Sequence, residues 1–225
     1  MRWPFAKSAP ETPVSRVVFA VLDLEMTGLD PSRDSVIALA GLHMDGGRIS
    51  LGRVFSKLVR PRVRPSPQSV LVHQITWEEL EGQPPMSEVL PEFLAFLDGA
   101  VLAGWCLELD LAFLGAECRR LGLAPPIGPG LDVLGLYQAI RAGRGSHLLD
   151  ELPMKDVNLY TVARALGISP KGAHQALGDA FLTAQVLQRF LSIISTEFGS
   201  GEPSLETVLR LCRRGLAPAT VQVGA

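Results

Sequence analysis

The residues best suited to chemistry are acidic, and the first pair closes an apolar run: Val17 to Leu22 leads into Asp23-Leu24-Glu25, then Met26-Thr27-Gly28-Leu29. On a strand, side chains at i and i+2 point to one face, so Asp23 and Glu25 stand side by side. Two like charges on an apolar strand need something positive between them. Hard divalent cations such as Mg²⁺ take oxygen ligands and are commonly held by one or two carboxylates plus substrate phosphate, which makes a metal the natural occupant. Two later places offer further ligands. Asp110 sits among Leu109, Leu111, Phe113 and Leu114 near a helix start, where the helix dipole by itself also favours a carboxylate. His174-Gln175-Ala176-Leu177-Gly178-Asp179-Ala180 opens the last strong helix, with His174 five residues before Asp179. Singly, that aspartate reads equally as an electrostatic cap and that histidine as a packed or surface residue. Their occurrence together, in this order along the chain, is the signal.

The hydrophobic pattern indicates the elements that must position these groups. Strands are expected over Val17 to Glu25, Ser35 to Met44 and Ile49 to Val59, with the turn Asp45-Gly46-Gly47 making the last two a hairpin and the three an antiparallel meander. Arg60-Pro61-Arg62-Val63-Arg64-Pro65-Ser66-Pro67 lacks the donors of a central strand and reads as an exposed connector, its arginines either solvated or a phosphate-contacting arm. From Thr76 the period turns helical, and Ser87 to Leu97 aligns Val89, Leu90, Phe93, Leu94 and Leu97 on one stripe. A short buried strand follows at Ala100 to Gly104, then a helix at Leu107 to Leu121 and a Pro/Gly-rich break at Ala124 to Gly130. Weaker helical stretches lie near Asp132 to Arg141 and Asn158 to Leu166; the last strong helix runs from His174 or Gln175 to about Ile194, and Leu205 to Cys212 adds a turn-rich helix. The expected division is an extended or disordered tail over 1–15, one catalytic domain over 16–196, and a C-terminal helix with a frayed end over 197–225. Strands first, then strands alternating with helices, give an α/β protein with a mixed sheet flanked by helices.

Composition narrows the partners. With 225 residues, 47% hydrophobic and 20% charged, the chain suits a single globular core. Its net charge of −2 is too little positive charge to grip a polyanion along its length, so any nucleic-acid contact should be short and local. Cys106, Cys118 and Cys212 make neither a C-x-x-C pair nor an even set, which fits a reducing cytoplasm rather than a disulfide scaffold. Met1 to Pro13 is broken by prolines and holds no signal-type apolar stretch, and no run is long enough to span a membrane, so a soluble, cytoplasmic protein is expected.

Together the motifs resemble the DEDDh 3′ to 5′ exonucleases, the DnaQ-like proofreading group of the ribonuclease H-like fold, over about Val17 to Leu191. The first motif stands as Leu22-Asp23-Leu24-Glu25-Met26-Thr27-Gly28-Leu29-Asp30-Pro31, with Asp34 before the second strand. The family's His-Gly-Ile-Thr turn appears as His73-Gln74-Ile75-Thr76, with Gly82 and Pro84 behind it. The second motif ends in Asp110-Leu111-Ala112-Phe113-Leu114, Asp132 matches the aspartate before the next helix, and His174 to Asp179, with Thr183-Ala184 beyond, forms the third. One departure is clear: where family members carry His-Asn and an aromatic before the second-motif aspartate, this chain has Trp105, Cys106 and Leu109.

The resemblance implies a five-stranded mixed sheet and hydrolysis assisted by two Mg²⁺ ions, for which Mn²⁺ can substitute. It assigns Asp23 to both metals, Glu25 and Asp179 to one, Asp110 to the other, His174 as general base, and Met26 and Thr27 as contacts to the terminal nucleotide. The implied partners are single-stranded or frayed nucleic-acid 3′ ends and a DNA polymerase, in a proofreading or repair role. Two alternatives stay open: an exoribonuclease acting on RNA ends or short oligoribonucleotides, and a binding module with weak or lost catalysis. Trp105 in turn reads as a core residue or as a stacking surface for a base.

Overall fold

The computed structural model describes residues 12–143, 147–154, 157–170, 175–197 and 201–216. Its frame is a five-stranded sheet of β1 (Val18–Met26), β2 (Val36–Asp45), β3 (Arg48–Leu58), β4 (Val101–Gly104) and β5 (Gly130–Asp132), ordered β3-β2-β1-β4-β5. The first three strands form the expected meander, joined between β2 and β3 by a tight turn with Gly46 at φ 60°. On the other side, β1 pairs β4 and β4 pairs β5 in parallel. Central β1 is buried on both faces, and its alternation sorts the core in two. Ala20, Leu22 and Leu24 face one cluster, which Val89, Leu90, Phe93, Leu107, Phe113 and Leu114 complete. Phe19 and Val21 face the larger one, with Leu136, Tyr137, Val162, Leu187 and Phe190.

The helices follow from those faces. On the first side lie α3 (Met86–Leu97) and α4 (Leu107–Leu121); on the second, α5 (Val133–Ala142), α6 (Leu159–Ala165) and α7 (Ala176–Glu197). Two short helices, α1 (Pro67–His73) and α2 (Trp77–Leu80), occupy the connector after β3. Local chemistry explains α1, which lies between the connector and the His73-Gln74-Ile75-Thr76 turn, where no element was expected: Ser66 caps Ser69 N–H at 3.1 Å and Pro67 stands at the first helical position. Likewise β5, too short to show a period, emerges at the end of the Pro/Gly-rich break because Leu102, Ala103 and Gly104 offer it a free edge.

The last helix, α8 (Leu205–Leu216), is regular rather than turn-rich and packs on α5. A Cβ on its Gly215 would fall 1.9 Å from the Gly135 oxygen, so only glycine permits this crossing. Thr12–Arg16 closes the same side: Pro13 bridges Ser204, Val14 is buried, and Leu205 N–H donates to Thr12 O at 2.8 Å. Among the described residues no helix is long and apolar enough to cross a membrane.

Candidate active site

The acidic residues converge where β1 outruns its neighbour. The last β1–β4 pair is Val21↔Ala103, beyond which β1 runs on through five more residues to Met26. Leu24 N–H, past that last pair, donates instead to Asp110 Oδ1 at 3.1 Å. Thus α4 delivers its carboxylate to the end of the strand as a substitute ladder acceptor, which satisfies both buried groups. Gly104 allows the approach, since a Cβ there would meet Leu107 at 3.0 Å and the Leu22 oxygen at 3.2 Å.

Asp23 and Glu25 rise from the opposite face. Their cross-strand partners on β2 are Ala40 and Ala38, and Ala176 in the first turn of α7 packs on those two alanines. Small side chains let the helix start sit close over the carboxylates. In consequence Asp23, Glu25 and Asp179 each place an oxygen within 4.8 Å of the others, a possible metal site. Asp110 is 5% exposed and Asp179 8%, while Asp23 and Glu25 are partly buried. Among the described residues no lysine or arginine forms an ion pair with Asp23, Glu25 or Asp110. Carboxylates so placed resist ionisation. Burial, then the charges of Asp110, Glu25 and Asp179, hold Asp23 well above its usual range. Burial and the Asp179 charge push Glu25 up to about 7. Burial raises Asp110 as well, against the Leu24 N–H bond that favours its charged form.

Oxygen donors crowded in this way, partly desolvated and close to one another, fit a hard divalent cation. His174 lies outside the described residues. Met26 sits at the register shift that ends β1, and Thr27, 2% exposed, is committed to the next loop. Its hydroxyl accepts Ser35 N–H at 3.0 Å and faces Asp34 Oδ1 at 3.3 Å, while Asp34 Oδ2 accepts Asp30 N–H at 2.9 Å. Gly28 is required by that brace, because a Cβ there would lie 2.4 Å from the Asp34 carboxylate.

Tyr160 was not predicted from the residues, nor were the contacts of several other supporting groups. Tyr160 on α6 donates its hydroxyl to Asp179 Oδ2 at 2.6 Å, and a tyrosine in a weakly periodic stretch carries no sign of that contact. Asp132 accepts from Cys106 N–H at 3.2 Å and Leu134 N–H at 2.9 Å, so it caps α5 and pins the turn into α4 together. That turn carries Cys106 in the left-handed region at φ 56°. Burial and the Asp132 and Asp110 charges push the Cys106 thiol up to about 11, leaving it a poor nucleophile. Trp105 packs against the larger core cluster, in agreement with its core reading. Two of the three connector arginines have defined side-chain partners: Arg62 donates to Asp34 O at 3.1 Å, and Arg64 lies over the Trp77 ring at 4.5 Å.

The chain's likeness to known proteins agrees with this geometry. The exonuclease family RNase_T matches residues 20–187. The DNA polymerase III subunit epsilon of Aquifex aeolicus is 32% identical over 184 residues, 82% of this chain and 85% of that protein. The PolC-type DNA polymerase III of Thermotoga maritima is 33% identical over 176 residues, 78% of this chain, which spans only 12% of that relative's length. Among solved structures, E. coli Exonuclease I in complex with a dT13 oligonucleotide superimposes with a TM-score of 0.70 at 19% identity, covering 80% of this chain and 41% of that one, a likeness of fold. The acidic constellation on a mixed sheet and the match over most of its length place this chain in the exonuclease family, within the DnaQ-like 3′ to 5′ group.

Proposed function

We propose that this chain is a divalent-metal-dependent 3′ to 5′ exonuclease that releases nucleoside monophosphates from DNA 3′ ends in a proofreading or repair setting. The observation that carries the reading is the trio Asp23, Glu25 and Asp179, with oxygens within 4.8 Å of one another and Asp110 beside them at Leu24. In this reading 16–196 is the catalytic domain, 1–15 an N-terminal tail and 197–225 a C-terminal extension. Asp23, Glu25, Asp110 and Asp179 would hold two Mg²⁺ ions, or Mn²⁺ in their place. When bound, such ions supply positive charge to the attacking and leaving oxygens of a phosphodiester. The protein's own part is to hold the carboxylates at fixed spacing and to present the strand end. His174, five residues before Asp179, is proposed to take the proton of the attacking water. Met26 and the backbone of Thr27, at the exit of β1, would meet the terminal nucleotide, since the Thr27 hydroxyl is already bound in its loop.

A near-neutral chain with a local site suits one unpaired 3′ end rather than a long duplex. A DNA polymerase is the proposed partner, because the relatives matched are named as DNA polymerase III proteins. The test compares wild type with Asp23→Ala on a 3′-mismatched DNA primer and an RNA primer, each with Mg²⁺ and with chelator. Metal-dependent digestion of DNA by wild type is expected. The substitution should lower it by more than the roughly 100-fold seen when partners outside a metal's own ligands are lost. Activity that survives the substitution unchanged rejects the reading, and a clear preference for RNA redirects it to an exoribonuclease.

A further inference from the structure

Each carboxylate of the site has its own means of orientation, and the one that holds Asp179 is a side chain from another element. Asp23 and Glu25 are aimed by the strand pleat. Asp110 is held by Leu24 N–H. Asp179, in the first turn of α7, accepts the Tyr160 hydroxyl at 2.6 Å across 19 residues of chain. That distance is typical of the strong class of O–H to carboxylate bonds. The donor is also well braced. Asn158 caps α6 by accepting Thr161 N–H at 2.9 Å, Leu159, Val162 and Ala163 are buried, and the Tyr160 ring packs on the larger core cluster. Packing alone has no use for the oxygen, since a phenylalanine would fill the same space.

We propose that Tyr160 is a positioning residue: its hydroxyl fixes the orientation of the Asp179 carboxylate and so sets the affinity of the site for divalent cations. This rests on the metal-dependent reading above. Carboxylates that bind metals are commonly held by a second hydrogen bond, and loss of such a partner typically weakens metal affinity or activity about 10- to 100-fold. Tyr160 touches neither the reacting phosphate nor the ion in this scheme; it acts through Asp179.

The test is calorimetric titration of Mn²⁺ into the full chain, wild type and Tyr160→Phe, with the melting temperature of each metal-free protein and steady-state digestion of a DNA oligonucleotide over a Mn²⁺ series. Tyr160→Phe should bind Mn²⁺ about 10- to 100-fold more weakly. Its KM for the oligonucleotide should be unchanged, with a loss of kcat that shrinks as Mn²⁺ is raised. Equal Mn²⁺ affinity in the two proteins overturns the role of Tyr160 and leaves the parent reading standing. A lower melting temperature with unchanged affinity also overturns it, because the hydroxyl would then only brace α6 against α7. Failure of wild type itself to bind Mn²⁺ overturns the parent reading, and the role of Tyr160 with it.

Discussion

Two groups of buried carboxylates lie on α4 and its neighbours, and the chain treats them in opposite ways. Glu117, 4% exposed, is neutralised from within: Arg120 donates to it at 2.6 Å and Arg62 approaches to 3.8 Å. The same arginines reach on to Pro31 O at 2.7 Å and Asp34 O at 3.1 Å, so this centre straps down the loop that follows β1. Two turns earlier on the same helix, Asp110 faces Asp23 and Glu25 with no such cation among the described residues. One centre is complete as folded. The other has, among the described residues, no lysine or arginine paired with Asp23, Glu25 or Asp110, and burial and like charges raise all three.

The comparison breaks most sharply on substitutions that remove a charge from each centre. Asp23→Asn should lower nuclease activity by more than about 100-fold, yet raise the melting temperature of the metal-free protein, because it removes a buried like charge. A metal-free protein made less stable by this change would place Asp23 in a satisfied structural network instead.

A pH series gives a smaller effect of the same origin. Burial and the Asp179 charge raise Glu25 from its ordinary 4.5 to about 7. A raised carboxylate contributes stability that is full below the unfolded value and is lost as pH rises through the folded one, here between 4.5 and about 7. Melting with chelator and with Mg²⁺ should therefore show a gap that widens from about pH 5 to about pH 8, since the cation favours the ionised forms. A gap that stays constant over that range would contradict the charge-deficient description.

The smallest change belongs to the completed centre. Glu117→Gln should destabilise by about 1–2 kcal/mol, roughly 2–8 °C for a chain of this size, with or without metal. A gain in stability there would mean that the arginines do not need their carboxylate.

Much of the frame was legible because its signals are local. The strands of the meander lie within two residues of their expected ends, since β1 and β2 are built on long apolar runs and Gly46-Gly47 allows the turn. The amphipathic helices α3 and α4 show their stripe directly. By contrast α1 has seven residues and β5 three, too few for a period to emerge. Their existence depends on a Ser66 cap and on the edge that β4 exposes. The arginines of the connector could be read only as solvated or as a phosphate-contacting arm, because Arg62 acquires its meaning from Glu117, distant in sequence.

The identities and order of Asp23, Glu25, Asp110 and Asp179 are properties of the sequence, since residue type, strand parity and position at a helix start are encoded within a few residues. Tertiary structure alone decided that Ala38, Ala40 and Ala176 would leave space for Asp179 to come within 4.8 Å of the strand pair, and that Tyr160 would reach it from α6. Such distances follow from how two helices dock on a sheet. That docking is set by the summed packing of residues far apart in the chain, and no local pattern reports it.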